Sequence, residues 1–265
     1  MENDASANCY VTLLMHAIDF AREAGKVQLK YFRSASLGVE EKQNDFDVVT
    51  TADKASEFVV KQAIKERFPS HAILSEESGL DGGSDSEWEW VIDPLDGTTN
   101  FSSGLPFFNV SIGVRHRGET VVGVVYAPRL CELFTAVKGD GACLNGEPIA
   151  TPQGPQPLSH AVVTTGFPYD KAVNPDNNLD NVERVMPLVR GLRRFGSAAL
   201  ELCYVAAGFL DAHWELNLHE WDVCAGALIA REAGAEVVRY RPDRGVSVIV
   251  SRPALMPQLR PLIKP

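Results

Sequence analysis

A chain of 265 residues, 45% hydrophobic and 23% charged, has room for one large domain or two small ones with ample core. Its net charge of −10 argues against direct nucleic-acid binding, and no apolar run reaches membrane-spanning length. Five cysteines without a C-x-x-C pair, behind a polar and acidic start (MENDASAN), point to buried free thiols in a reducing, cytoplasmic setting.

Val11, Leu14, Ile18, Ala21 and Ala24 recur at helical spacing, so residues 10–32 are expected as a long first helix. Residues 39–42 and 47–50 bracket a polar turn. Thr50 and Asp53 are then placed like a capping box for a second helix that Pro69 ends. Residues 72–74 form a short buried strand stopping at Ser75-Glu76-Glu77-Ser78, and 79–86, rich in Gly, Asp and Ser, is expected as a mobile loop.

Residues 88–92 form a strand that delivers Asp93 to its end, and Pro94, which has no N–H for a ladder, stops it. Trp88 and Trp90 alternate on that strand and are expected on one core face. Four runs follow, at 107–114, 120–127, 132–137 and 142–144, separated by Gly- and Asn-containing turns; this is an antiparallel meander. The three prolines of 151–157 (TPQGPQP) mark a linker between an N-terminal half, 1–150, and a C-terminal α/β half, 158–265. The second half reads as strands at 161–165, 192–195, 209–216, 236–240 and 246–250, with helices at 180–189, 197–207 and 221–233.

The chemistry concentrates at 90–101, WVIDPLDGTTNF. Asp93 and Asp96, three residues apart on a turning backbone, repel unless a cation sits between them. Gly97 admits close approach of another group, and the amides of 97–99 can hold an oxyanion. Carboxylates for a hard cation beside amides for phosphate suggest metal-assisted phosphoryl chemistry.

Further acids stand where buried segments end: Asp53, Glu76-Glu77 and Asp222. Each has a plain alternative. Asp53 suits a helix N-terminus, Glu76 and Glu77 a solvated loop, and Asp222 a helix cap. His16, His71 and His116 read as structural or solvated, whereas His213 and His219 bracket the expected pocket. Arg193-Arg194 could receive an anionic group, but pairing with acids across a dimer contact is the favoured reading.

Together, D-P-x-D-G-T at 93–98, D-x-V-T-x-x-D at 47–53, E-E-S at 76–78 and W-D-x-x-A-G at 221–226 resemble the inositol monophosphatase family of lithium-sensitive, magnesium-dependent phosphatases. Ser75 stands where that family has glycine, Leu95 where isoleucine is common, and Cys224 where alanine is usual. The resemblance implies a layered αβαβα sandwich of mixed α/β type, a homodimer, and two or three Mg²⁺ per site. It implies that Glu76, Asp93 and the Leu95 carbonyl hold a first ion, and Asp93, Asp96 and Asp222 a second, with a weaker third near Glu76. Thr98 and Asp53 would orient and activate water, Gly97, Thr98 and Lys42 would meet phosphate, and Asp96, Ala198, Glu215 and Asp222 the substrate hydroxyls. The substrate implied is a small phosphate ester, with inositol 1-phosphate ahead of fructose 1,6-bisphosphate, histidinol phosphate or 3′-phosphoadenosine 5′-phosphate. Some bacterial relatives instead serve as assembly partners of RNA polymerase or ribosomal RNA, which gives a non-catalytic alternative.

Overall fold

The computed structural model describes residues 2–42, 47–83 and 86–264, with side chains from residue 9 onward. Helix α1 (Glu2–Tyr31) confirms the long first helix, and its buried stripe of Leu13, Ala17, Phe20, Ala21 and Ala24 follows the apolar periodicity. Strands β1 (Val39–Glu41) and β2 (Val48–Thr50) pair antiparallel; the turn expected between them, 43–46, lies outside the described residues. Helix α2 (Thr51–Arg67) starts at the expected capping box, where the Thr50 side chain accepts from the Ala52 N–H and Asp53 accepts from the Thr50 N–H.

Eight strands, all between residues 72 and 149, make the first sheet: β3 (Ala72–Ser75), β4 (Gly79–Asp81), β5 (Trp88–Asp96), β6 (Asn109–His116), β7 (Glu119–Ala127), β8 (Glu132–Val137), β9 (Gly141–Leu144) and β10 (Glu147–Ile149). Their spatial order is β10-β9-β8-β7-β6-β5-β3-β4, so β6 to β10 is the expected meander with one further strand. Two expectations fail. The segment from Gly79 is no free loop, because β4 pairs with β3; positions 84–85 of that loop lie outside the described residues. Pro94 also does not end β5. The ladder to β6 breaks between Asp93 and Asp96 and resumes with Asp96 opposite Asn109, so proline sits at an irregularity where no N–H is required.

The second sheet runs β12 (Gly191–Arg193), β11 (Val162–Thr165), β13 (Ala212–Leu218), β15 (Val246–Ser251), β14 (Glu236–Arg241), with β11 parallel to both neighbours. Strand β13 begins later than expected because Gly208, at φ +74°, opens a turn that leaves Phe209 54% exposed. The helices are α3 (Thr98–Ser102), α4 (Leu179–Val185), α5 (Ala198–Ala206), α6 (Glu220–Glu232) and α7 (Met256–Leu259).

Three apolar clusters order these parts into layers. α1 and α2 cover one face of the eight-stranded sheet through Phe20, Ile64, Trp90 and Ile112. α5 and α6 fill the space between the sheets, with Leu202, Leu228 and Ile229 against Phe134 and Val248. α4 and α7 cover the outer face of the five-stranded sheet around Trp214, Ile249 and Leu259. The result is the αβαβα sandwich. α6 lies directly on β6 and β7, where a Cβ on Gly113 would run into Cys224 and one on Gly123 would come 2.8 Å from the Ala225 carbonyl oxygen. Cys224 is thus a packing residue, as its small apolar character suggests.

Candidate active site

The ends of β3, β5 and β13 and the starts of α3, α5 and α6 converge on one cavity of 590 Å³. Glu76, Asp93, Leu95, Asp96 and Asp222 line it, together with Gly97, Thr98, Lys42, Ala198 and Glu215. Of the residues to which the family resemblance assigns a role, Asp53 alone lies behind this wall. It is fully buried and reaches the cavity through Thr98, whose Oγ1 donates to its Oδ1 at 2.9 Å. The same hydroxyl lies 3.1 Å from the Leu95 carbonyl oxygen.

Gly97 permits this turn. Its φ of +93° suits only glycine, and a Cβ there would come 3.0 Å from the Phe107 carbonyl oxygen. Asp93 is 2% exposed and accepts from the Leu95 N–H at 2.9 Å, while its carboxyl is in hydrogen-bond contact with Glu76. Asp96 Oδ2 accepts from Asn109 Nδ2 at 2.8 Å, Ser197 Oγ at 2.8 Å and the Ala199 N–H at 2.9 Å. Those three donors fix Asp96 from β6 and from the start of α5. Asp222 caps α6 by accepting from the His219 N–H at 2.7 Å. Asp53 and Asp222 therefore satisfy their plain helix-capping readings and still stand at the site.

The acids strain against one another. Burial, then neighbouring carboxylates, raises Asp93 well above the carboxylate range. Burial and Asp222 push Asp96 up to about 6. Burial holds Glu76 at about 7 despite Lys42. Lys42 donates to Glu76 at 2.8 Å and to Glu77 at 2.7 Å. Burial alone would lower it, but those two glutamates outweigh burial and keep it firmly protonated. Burial likewise raises Asp53 to about 6, against the bonds from Thr50. An all-oxygen set of mutually repelling, half-buried to buried carboxylates with one backbone carbonyl at its edge fits a hard divalent cation such as Mg²⁺.

Several cavity residues went unassigned or were read otherwise. Arg194 lines the cavity, as do Lys171, Tyr169 and Asp47. Asn109 and Ser197 are long-range partners of Asp96 that no local pattern announces. His219 does stand at the cavity, stacked on Trp221 at 4.7 Å. His213 does not bracket it but is wholly buried. Trp88 is only half buried, with its ring between those of His71 and His116, at 5.5 and 4.1 Å.

Comparison with known proteins shows the family and the fold. A model of the inositol monophosphatase family matches residues 10–263. The protein named Nus factor SuhB from Pasteurella multocida is 45% identical over 229 residues, which are 86% of this chain and 85% of that one. The solved inositol monophosphatase of Anabaena is 39% identical with a TM-score of 0.84, covering 95% of this chain and 94% of that one. The extragenic suppressor protein suhB of Bartonella henselae superposes with a TM-score of 0.87 at 35% identity, over 96% of this chain and 98% of that one.

Proposed function

Since the chain belongs to the inositol monophosphatase family, we propose that it is a magnesium-dependent phosphate monoester hydrolase whose substrate is inositol 1-phosphate. The observation that carries the reading is the Thr98–Asp53 hydrogen bond at the wall of a cavity that also gathers Glu76, Asp93, Asp96 and Asp222. Glu76, Asp93 and the Leu95 carbonyl, and Asp93, Asp96 and Asp222, are the groups that would hold two Mg²⁺, with room for a weaker third near Glu76. Bound there, the ions would offset the repulsion between this acidic cavity and a phosphate dianion and make water more acidic.

The remaining work falls to the chain itself. Thr98 Oγ1 points its proton at Asp53, so the hydroxyl can accept a proton from an attacking water while passing its own to the carboxylate. Asp53, held near pH 6 by its burial, is largely ionised at neutral pH yet basic enough to take that proton. The amides of Gly97 and Thr98 would meet the phosphate oxygens, with Lys42, which lines the same cavity, as a positive charge. Ala198, Glu215, Asp96 and Asp222 meet the hydroxyls of the leaving group. No side chain becomes phosphorylated.

Initial rates of phosphate release with Mg²⁺ on inositol 1-phosphate, fructose 1,6-bisphosphate, histidinol phosphate and 3′-phosphoadenosine 5′-phosphate test this. Inositol 1-phosphate should show the highest kcat/KM, and release from none of the four would end the catalytic reading. The relatives named Nus factor SuhB favour a second reading, in which the chain acts as an assembly partner. Retention of cellular partners by a catalytically dead Asp96→Asn protein separates that role from turnover.

A further inference from the structure

Strand alternation puts His213 and Glu215 on the same face of β13, while Trp214 between them turns to the opposite core. The helix that covers this face, α5, brings Glu201 down onto it from its first turn. The three side chains form a cluster within the C-terminal half, in which one ligand atom from each lies within 4.8 Å of the others. Glu201 and His213 are fully buried, and the Glu215 side chain is 12% exposed where it meets the cavity.

His213 carries the decisive detail. Its Nδ1 lies 2.8 Å from Thr164 Oγ1 on the neighbouring strand. Its Nε2 has no hydrogen-bond partner although the ring is wholly buried, and Glu215 Oε2 stands 3.4 Å away. An imidazolium shared between two carboxylates would close to about 2.7–2.9 Å. With the ring proton on Nδ1 and donated to Thr164, beside Glu201 Oε1 at 3.9 Å, Nε2 is left with its lone pair facing the carboxylate of Glu215 across that gap.

The surroundings are those of a ligand set already held in place. A metal-binding histidine characteristically spends its other ring nitrogen on a hydrogen bond that fixes tautomer and orientation, and Thr164 supplies that partner. Glu201 is anchored by the N–H groups of Phe195, Gly196 and Ser197, at 3.4, 3.2 and 3.2 Å. Glu215 packs against Gly166, where any Cβ would collide with its carboxylate.

We infer that Glu201, His213 and Glu215 form a binding site for a borderline divalent transition metal, best matched by Zn²⁺, separate from the carboxylate cage for Mg²⁺. One imidazole and two carboxylates are a nitrogen–oxygen set that selects zinc over magnesium. Three protein ligands would leave a fourth position for water, and Glu215 itself borders the cavity. Zinc there fixes the Glu215 carboxylate at the end of the cavity assigned to the substrate's hydroxyls.

The test uses the whole chain, stripped by chelator, given one equivalent of Zn²⁺ in excess Mg²⁺ and desalted. Wild-type protein retains about one zinc per chain. His213→Phe and Glu201→Gln weaken zinc binding by roughly 10–100-fold or more, since even outer partners of metal sites command that range. Zinc X-ray absorption of the loaded His219→Ala protein, which lacks the imidazole beside Asp222 in the carboxylate cavity, still shows an imidazole nitrogen bound to zinc, and this keeps the site testable even if His213→Phe or Glu201→Gln fails to fold. No retained zinc, equal retention by folded variants, or an all-oxygen shell overturns the site. Neither readout depends on turnover, so loss of the phosphatase reading would leave this result standing.

Discussion

Thr98 donates to Asp53 at 2.9 Å across 45 residues of sequence, joining the start of α3 to the capping box of α2. Asp53 receives Thr50 and Thr98 on different oxygens, so both are committed before any substrate arrives. Removing the Thr98 hydroxyl leaves Asp53 capped by Thr50 but disconnected from the cavity. Thr98→Ala and Asp53→Asn should each lower kcat about 10²–10⁴-fold with little change in KM, the range for a general base and its relay. Steady-state kinetics at saturating Mg²⁺, with circular dichroism to confirm folding, checks this. A KM effect with kcat intact would move Thr98 from proton transfer to substrate binding.

A second prediction concerns pH and metal together. Burial and like-charge neighbours hold Asp96 at about 6 and Glu76 at about 7, and burial is the chief cause that puts Glu215 at about 8. Carboxylates of the unfolded chain titrate near about 4. Between roughly pH 4 and 8 the folded, metal-free protein therefore binds more protons than the unfolded chain, and its stability falls as pH rises. Each such group contributes about 1.4 kcal/mol per pH unit across its own window. Under the proposed reading Mg²⁺ takes the ionised acids, so its stabilisation should grow from the acid to the alkaline side of the window. Urea denaturation with chelator and with Mg²⁺, at pH values spanning it, gives both slopes. A metal-free stability that rises with pH would refute the carboxylate-repulsion account.

Asp96→Asn separates stability from function most sharply. The amide oxygen can still accept from Asn109, Ser197 and Ala199, while the amide nitrogen faces the remaining acids where a repelling oxygen stood. At alkaline pH the metal-free variant should be more stable than wild type by about 1–3 kcal/mol. Its Mg²⁺-dependent phosphate release should nevertheless be largely lost. Denaturation midpoints and initial rates on the same preparations read both signs, and parallel losses of stability and activity would mean that Asp96 is chiefly a structural group.

Much of this was legible in the chain because the signals are local. The 3.6-residue stripe of α1, the Thr50/Asp53 capping box and the turn residues of the meander each declare themselves within a few positions. The run DPLDGTT could be read as chemistry for the same reason. What was not legible depends on distant pairing. Pro94 reads as a strand terminator, yet it occupies a ladder irregularity that exists only because Asp96 finds Asn109 on β6. The segment at Gly79 looks like free loop until β3 offers it an edge. Arg194 is ambiguous in sequence, and the fold brings it to the cavity from just after β12. His213 looks like a pocket histidine until β11 and α5 cover it.

The seating of α6 yields the last prediction. Asp222 lies in the first turn of that helix, and the helix approaches the sheet closely because β7 offers Gly123 beneath Ala225. A methyl at 123 would come 2.8 Å from the Ala225 carbonyl oxygen, a backbone atom that cannot rotate away. The helix must lift, or the strand must sink. Overpacking of this kind costs about 1–3 kcal/mol. A lift of even part of an ångström also carries Asp222 away from Asp93 and Asp96, so Gly123→Ala should weaken Mg²⁺ activation while leaving the Thr98–Asp53 pair untouched. The expected signature is a raised magnesium requirement with kcat recovered at high Mg²⁺, alongside a lower unfolding midpoint. Lost stability with an unchanged magnesium dependence would show that the strand yields instead of the helix, and that Asp222 is held by its own cap at His219 rather than by the sheet below.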